Sequence, residues 1–154
     1  MSTARRREAG SVRMVDITSK PAVARVATAT GLLRLRPATL RAIRTGRVAK
    51  GNVLAVAQTA AAGAVKRTWE ILPLCHPIPL TGVETELEVG RGGVRATCTV
   101  RATYKTGVEM EALVGVTAAL LTVWDMVKPL EKDATGNYPG TRIERVRVVE
   151  KRKG

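Results

Sequence analysis

The only histidine of this 154-residue chain lies in the segment ILPLCHPIPL, residues 71–80. A histidine can act as a general acid or base near neutral pH without a metal ion. His76 precedes a proline, which disfavours helical backbone, and stiff irregular connectors often carry functional side chains. In an extended chain, however, His76 shares one face with apolar residues at every second position. On this segment alone, a packed histidine with one hydrogen bond is the favoured interpretation.

A short polar segment before a predicted helix supplies a second candidate. Lys50 begins the sequence KGN, residues 50–52, directly ahead of an alanine-rich pattern. A helix N-terminus preceded by a glycine and a lysine can bind an anion through its free N–H groups. Loop lysines are commonly solvated, so this pattern is a weak signal without support from other residues.

Charged residues at both ends of one long helical pattern form a third candidate set. Glu109 and Glu111 lie in the first turn, where the helix dipole stabilises carboxylates. The two side chains point in different directions, so at least one of them should face another element or another subunit. Asp125 and Lys128 have the i,i+3 spacing of a surface ion pair, although an acid opposes the dipole at this end. About 21 Å of helix separates Glu111 from Asp125. A site that uses both must therefore span a long substrate or two subunits.

Hydrophobic periodicity and turn residues predict the elements that position these side chains. A hairpin over residues 81–105 alternates apolar and polar residues on both sides of a GRGG turn. A helix over residues 107–130 should end at Pro129. Its apolar stripe is predicted to comprise Met110, Leu113, Val114, Thr117, Leu121 and Trp124. The other predictions are a strand over 23–35 with a bulge at Gly31, a helix from Pro37 to Gly46, a helix over 52–72 capped by Asn52, and a strand over 141–151. This order is typical of an α+β, ferredoxin-like fold, in which an antiparallel four-stranded sheet has helices packed on one face.

Composition limits the classes of protein and of site. Hydrophobic residues make up 45% of the chain and the formal net charge is +13, so an ordinary core can form and the surface attracts polyanions. We expect a mobile basic arm over residues 1–11 and a single domain over residues 12–154. We expect neither a leader peptide nor a stretch that spans a bilayer. We expect a cytoplasmic protein whose cysteines are reduced. Two cysteines without CxxC spacing and one histidine predict no metal site.

Together these segments resemble one enzyme family. The sequences KRTWEILPLCHP, TGVEMEAL and DMVK, with MVDI near the start and KGN between helices, are similar to cyclic pyranopterin monophosphate synthases, the C proteins of the first stage of molybdenum cofactor biosynthesis. The likeness runs from about Met14 to the last predicted strand. It implies a lyase that converts 3′,8-cyclised dihydro-GTP into cyclic pyranopterin monophosphate and releases pyrophosphate.

The resemblance also implies which residues form the site. The implied substrate-binding residues are Leu74, Cys75, His76, Met110, Glu111 and Arg25. The implied catalytic residues are Asp125, His76, Lys50, Lys128 and Glu111. We expect the lysines to bind phosphates and stabilise charge as pyrophosphate leaves. His76 and Asp125 would move protons, and Glu111 would hold or deprotonate the purine-derived ring.

Assembly and partners follow from the same resemblance. It implies a homohexamer, a trimer of dimers, with active sites at the dimer interface, and a functional link to the radical SAM enzyme that makes the substrate. No cofactor is implied, although Mg²⁺ could accompany the triphosphate. Many members have Asp where this chain has Asn52, and many end in a Gly/Lys/Ser-rich tail where this chain has only VVEKRKG. A phosphate contact by such a tail stays an open question.

Two other classes compete with the enzyme. Ferredoxin-like sheets can bind RNA through aromatic side chains that stack on bases, but the predicted strands offer only Tyr104, so nucleic acid is not the expected partner. The basic termini could still hold polyanions nonspecifically. A purely structural oligomer would leave His76 and Asp125 without a role.

Overall fold

Four antiparallel strands form one sheet in the computed structural model, which describes residues 10–154. The strands are β1 (Val23–Arg34), β2 (Leu80–Val89), β3 (Gly93–Tyr104) and β4 (Arg142–Lys153). The helices are α1 (Pro37–Arg44), α2 (Val53–Lys66), α3 (Thr68–Ile71) and α4 (Glu109–Glu131). The sheet order is β2–β3–β1–β4, and α2 and α4 pack against each other and the sheet. The predicted α+β arrangement is confirmed, whereas the arm predicted over residues 1–11 lies outside the described residues except at its last two positions.

Alternating side chains explain the hairpin of β2 and β3. The β3 residues facing the helices are fully or almost fully buried, namely Val94, Ala96, Cys98, Val100 and Ala102. On the opposite face, Arg101 Nη1 contacts Glu84 Oε2 at 3.0 Å and forms an ion pair between the two strands. The turn closes where the Gly90 N–H donates to the Gly93 carbonyl at 2.9 Å.

A glycine allows the long helix to approach the central strand. The pairing of β1 with β4 shifts register between Thr30 and Leu32, which confirms the bulge predicted at Gly31. A Cβ atom at Gly31 would lie 2.8 Å from Val116 Cγ1 and 3.0 Å from Leu120 Cδ1. Any larger residue would therefore push α4 away from the sheet.

The first two helices begin as the sequence predicts. Pro37 is the first residue of α1, and Gly46, two residues after α1 ends, has φ +66°. The Asn52 side chain caps α2 by accepting a hydrogen bond from the Ala55 N–H at 3.1 Å. The prediction of a single helix over residues 52–72 is wrong, because this segment forms two helices, α2 and α3. The buried Thr68 hydroxyl bonds the Val65 carbonyl at the junction and so competes with regular helical bonding.

The stripe predicted on α4 is not its core face. Met110 and Leu121 are exposed, at 43% and 53%, and the other members of the stripe are only partly buried. The core face consists mainly of smaller residues and comprises Ala112, Gly115, Val116, Ala119, Leu120, Val123 and Val127. Only small side chains fit on this face, because α2, which is also alanine-rich, packs closely against it. A Cβ on Gly115 would lie 2.7 Å from Val65 Cγ2.

The end of α4 differs from the prediction, and the hydropathy of α4 bears on the expectation that no stretch spans a bilayer. Pro129 does not end the helix, which continues to Glu131. By length and composition alone, α4 is also the one helix within residues 10–154 that could cross a membrane, with a mean hydropathy of 1.5. Half of that apolar window is buried against the protein, and charged residues occupy both ends of α4, so it is the core helix of the fold.

Candidate functional site

One cluster surrounds the N-terminal end of α4. The segment from Leu72 to His76 and the loop before α4 line a cavity of about 570 Å³, together with Met110 and residues of the N-terminal segment. Leu74 and Met110 are 48% and 43% exposed, so both offer apolar surface to a ligand. The structure thus brings together Leu74, Cys75, His76 and Met110, four of the predicted substrate-binding residues.

A buried carboxylate lies behind this cavity. Glu111 is only 3% exposed, and its Oε1 lies 3.9 Å from Cys75 Sγ, while its buried Oε2 has no hydrogen-bond partner among the described residues. Burial raises the pKa of Glu111, and the nearby charge of Glu109 raises it further. Burial also raises the pKa of the Cys75 thiol, as does the neighbouring Glu111. A raised carboxyl pKa lets Glu111 accept or return a proton closer to neutral pH.

Basic residues from two strands meet the same helix end. Glu109 forms an ion pair with Lys151 of β4, and the charges of Lys151 and Arg25 help to lower the pKa of Glu109 against the opposing effect of burial. The buried Nε atom of Arg25 has no partner among the described residues. Arg25 thus lies close enough to Glu109 for their charges to interact, and its role in substrate binding stays a prediction. Sequence reasoning missed Lys151, because no local pattern links residues 42 positions apart.

The single histidine is partly buried and makes one hydrogen bond to the residues that the structure describes. Its Nε2 lies 2.7 Å from the carbonyl oxygen of Val15, in the N-terminal segment. His76 also lines the cavity, together with Val15 and Ile17. The packed and functional interpretations are thus compatible, because one ring edge is held by the backbone while the residue faces the cavity.

A second cluster occupies the C-terminal end of α4. Lys50 Nζ donates to Asp125 Oδ2 at 2.8 Å, and Lys128 Nζ donates to Asp125 Oδ1 at 2.9 Å. Hydrogen bonds from Lys128 and then Lys50 lower the pKa of Asp125 to about 2, and Asp125 in turn raises the pKa of Lys128. Two ammonium groups held by one exposed carboxylate form a cationic site suited to phosphates.

A proline in the helix prepares the acceptor for Lys50. Pro129 has no N–H to donate to the carbonyl oxygen four residues earlier, which belongs to Asp125. Lys50 Nζ donates to that oxygen at 3.0 Å. The proline that was expected to end the helix instead leaves a backbone acceptor free, and the lysine from the α1–α2 loop uses it. Lys50 consequently bonds α4 and not the N-terminus of α2.

An aromatic pair borders the second cluster. The rings of Trp124 and Tyr138 meet edge to face, with centroids 5.5 Å apart and planes at 85°. Tyr138 also helps to raise the pKa of Lys128. Its loop is fixed by Asp133, whose Oδ1 accepts hydrogen bonds from Thr135 and Asn137. Nothing in the sequence pattern pointed to Tyr138.

The two clusters do not meet within one chain. Glu111 and Asp125 stand about 21 Å apart along α4. Within residues 10–154, no group of three or more His, Cys, Asp or Glu side chains could hold a metal ion. The chain alone therefore presents an acid–base cavity and a separate cationic site at opposite ends of one helix.

Comparisons with known proteins point to one family. The MoaC family matches residues 14–154. A probable cyclic pyranopterin monophosphate synthase of Pyrococcus abyssi is 63% identical over 142 residues, covering 92% of this chain and 89% of the relative. One from Archaeoglobus fulgidus is 57% identical over 147 residues, covering 96% and 94%. A relative from Methanothermobacter thermautotrophicus, named a probable cyclic pyranopterin monophosphate synthase accessory protein, is 58% identical over 142 residues, covering 92% and 89%.

Proposed function

The chain belongs to the MoaC family, and from this premise we propose that it catalyses the synthesis of cyclic pyranopterin monophosphate. In this reaction 3′,8-cyclised dihydro-GTP rearranges to the pterin and pyrophosphate leaves, which makes the enzyme a lyase of molybdenum cofactor biosynthesis. The observation that carries the proposal is the pairing of a cationic phosphate site with an acid–base cavity on one helix. The substrate has both a triphosphate and a reacting ring, so it needs both sites.

We propose that two copies of the chain share each active site. An antiparallel pair of α4 helices, related by a two-fold axis at their midpoint near residue 120, would place Glu111 level with Pro129 of the second copy. Asp125 of that copy would then lie within about 6 Å of Glu111 along the axis. Both clusters would then face one substrate.

Exposed apolar side chains on α4 and near its N-terminal end support such a pair. The exposed large hydrophobic residues on α3, α4 and the segment after α3 are Trp69, Ile71, Leu74, Met110, Leu121 and Leu130. Met110 and Leu121 are 11 residues apart and so lie on nearly the same face of α4. A second copy packed on that face would cover both side chains. The homohexamer, a trimer of dimers, is the proposed assembly because it is built from such dimers.

The geometry suggests how the roles are divided. Lys50 and Lys128 bind the phosphates and stabilise negative charge as pyrophosphate departs. Asp125 is a weak base at a pKa of about 2, so it acts mainly by fixing the two ammonium groups. His76 and Glu111, in the cavity, carry the proton transfers on the ring, and each would contribute roughly 10²–10⁴-fold. Leu74, Cys75, Met110 and Arg25 complete the substrate contacts.

The proposal also covers cofactors, partners and location. We infer that no cofactor is required and that any Mg²⁺ enters with the triphosphate. The substrate must come from an enzyme that joins C3′ to C8 of GTP, which is radical chemistry, and a radical SAM enzyme fits that step. A cytoplasmic location suits both GTP supply and reduced Cys75 and Cys98, which are both free thiols in the structure.

Pyrophosphate release tests the proposal. The purified protein should release pyrophosphate from 3′,8-cyclised dihydro-GTP and not from GTP, and His76→Ala and Lys50→Met should abolish release while the fold is retained. Lys66→Met, on the exposed end of α2, serves as the matched control and should keep full activity. If the folded parent protein releases no pyrophosphate from the cyclised substrate, the proposal fails. A salt-dependent affinity for single-stranded RNA would then favour the polyanion-binding alternative.

A further inference from the structure

The N-terminal segment before β1, residues 12–22, lines one part of the cavity and contacts His76. It has no regular secondary structure, and Val12, Met14 and Val15 are 81%, 47% and 64% exposed. We call residues 12–22 the strap. Its closest polar contact with the cavity is the 2.7 Å hydrogen bond between the Val15 carbonyl oxygen and His76 Nε2.

The chemistry of that contact fixes the position of one proton. A carbonyl oxygen can only accept a hydrogen bond, so His76 Nε2 must carry the proton that it donates. Neutral imidazole has a single ring proton, so Nδ1 must then hold the free lone pair. We propose that the strap is a positioning element for catalysis: the Val15 carbonyl holds His76 in the Nε2–H tautomer and leaves Nδ1 as the atom that accepts a proton from the substrate.

Proton transfer from the substrate to His76 needs no further reactant. Nδ1 takes a proton from the substrate, the bonding electron pair stays on the substrate, and His76 becomes an imidazolium. The Nε2–H bond to Val15 is retained throughout, and the negative charge of Asp16, which is close enough to interact with His76, stabilises the imidazolium. The imidazolium returns this proton from Nδ1 to the substrate-derived product as the pterin forms, and His76 is neutral again. This assignment rests on the proposed function, because it names the working atom of that same site.

Polar contacts, and not burial, hold the strap. Lys105 Nζ donates to the Thr18 carbonyl at 2.8 Å, and the Thr18 N–H donates to Asp16 Oδ1 at 2.8 Å. Hydrogen bonds from the side chain and the N–H of Thr18 lower the pKa of Asp16, and the charge of Lys105 lowers it further. Lys20 N–H closes a turn on the Ile17 carbonyl at 3.0 Å. Lys105 is therefore the side chain whose removal should release the strap with the least damage to the core.

The single histidine makes the test direct, because His76 gives the only imidazole signals. In protein labelled with ¹⁵N-histidine, NMR at a pH where the imidazole ring is neutral should show a proton on Nε2 and none on Nδ1. In Lys105→Met and Asp16→Ala, the nitrogen shifts should move toward a mixture of both tautomers. Unchanged shifts in both variants, or a proton on Nδ1 in the parent protein, would overturn the proposal.

Kinetics supply a second readout. In Lys105→Met we expect kcat for pyrophosphate release to fall roughly 10-fold with KM unchanged, a part of the 10²–10⁴-fold that a positioned base supplies. Lys66→Met is the control for loss of a surface lysine. A tautomer change without any change in kcat would refute the catalytic role of the strap. Absence of turnover in every protein, the parent included, would refute the proposed function, while the NMR result would still decide the tautomer.

Discussion

Mixing two inactive variants tests whether α4 builds one site from two copies. Glu111→Gln disables the cavity end and Asp125→Asn disables the cationic end, and each variant alone should be inactive. In a mixed dimer, one site would combine both defects, and the other would combine the intact Glu111 of one copy with the intact Asp125 of the other. The 21 Å separation along α4 is the reason that neither chain can repair itself.

The size of the recovery follows from the symmetry. Random exchange of two variants in equal amounts makes half of the dimers mixed, and one of the two sites in each mixed dimer is intact. The mixture should therefore recover about a quarter of the parent activity. The assay is pyrophosphate release from 3′,8-cyclised dihydro-GTP after the proteins are co-refolded, or co-expressed with different affinity tags.

Controls separate this prediction from simple rescue. Co-assembly of Glu111→Gln with His76→Ala should stay inactive, because both changes affect the same end of α4 and every mixed site keeps one of them. Mixed dimers isolated through both tags should have about half of the parent activity. If purified mixed dimers of Glu111→Gln and Asp125→Asn show no activity, the shared site is refuted.

Three stability predictions follow from the packing, each checked by chemical denaturation. Glu111→Gln should be more stable than the parent protein, by a margin that grows as pH rises from the ordinary carboxyl pKa to the raised pKa of Glu111 and is constant above it, because the unfolded state loses this proton first; the same margin at pH values below and above this range would contradict the reasoning. Glu131→Ala should lose roughly 3 kcal/mol or more, because Glu131 is 1% exposed and accepts three hydrogen bonds whose donors would be left unpaired. Gly31→Ala should lose about 1–3 kcal/mol to overpacking against α4, whereas Gly63→Ala, with open space around it, should gain about 1 kcal/mol; equal effects of the two would refute the close-approach argument.

The sequence predicted the sheet well because period-two alternation and turn glycines act locally. The hairpin, the bulge at Gly31 and the Asn52 cap all depend on neighbouring residues and were confirmed. The face of α4 was predicted wrongly because apolar residues surround that helix, so periodicity alone does not select a side. The choice between large and small residues is made by the distance to α2, which only the fold determines.

The candidate site was predictable only through family resemblance. His76 alone favoured a packed histidine, and neither Lys50 nor Asp125 had a signal that linked them over 75 positions. The sequence predicts that Pro129 ends the helix. In the structure its missing N–H leaves the Asp125 carbonyl oxygen free to accept a hydrogen bond from Lys50 Nζ. The Val15 contact with His76 crosses 61 positions and involves a backbone atom, so no side-chain pattern could have indicated it. The assigned roles of these residues stay predictions until the variants are measured.

The central claim is tested most directly by the stoichiometry of the reaction. The protein would be incubated with 3′,8-cyclised dihydro-GTP, and the pyrophosphate and the cyclic phosphate-bearing pterin would be quantified in the same samples over time. We predict one pyrophosphate for each pterin formed and neither product from GTP. Pyrophosphate without the pterin, or no release by folded protein, would contradict the claim that the two ends of α4 together carry out ring rearrangement and pyrophosphate departure.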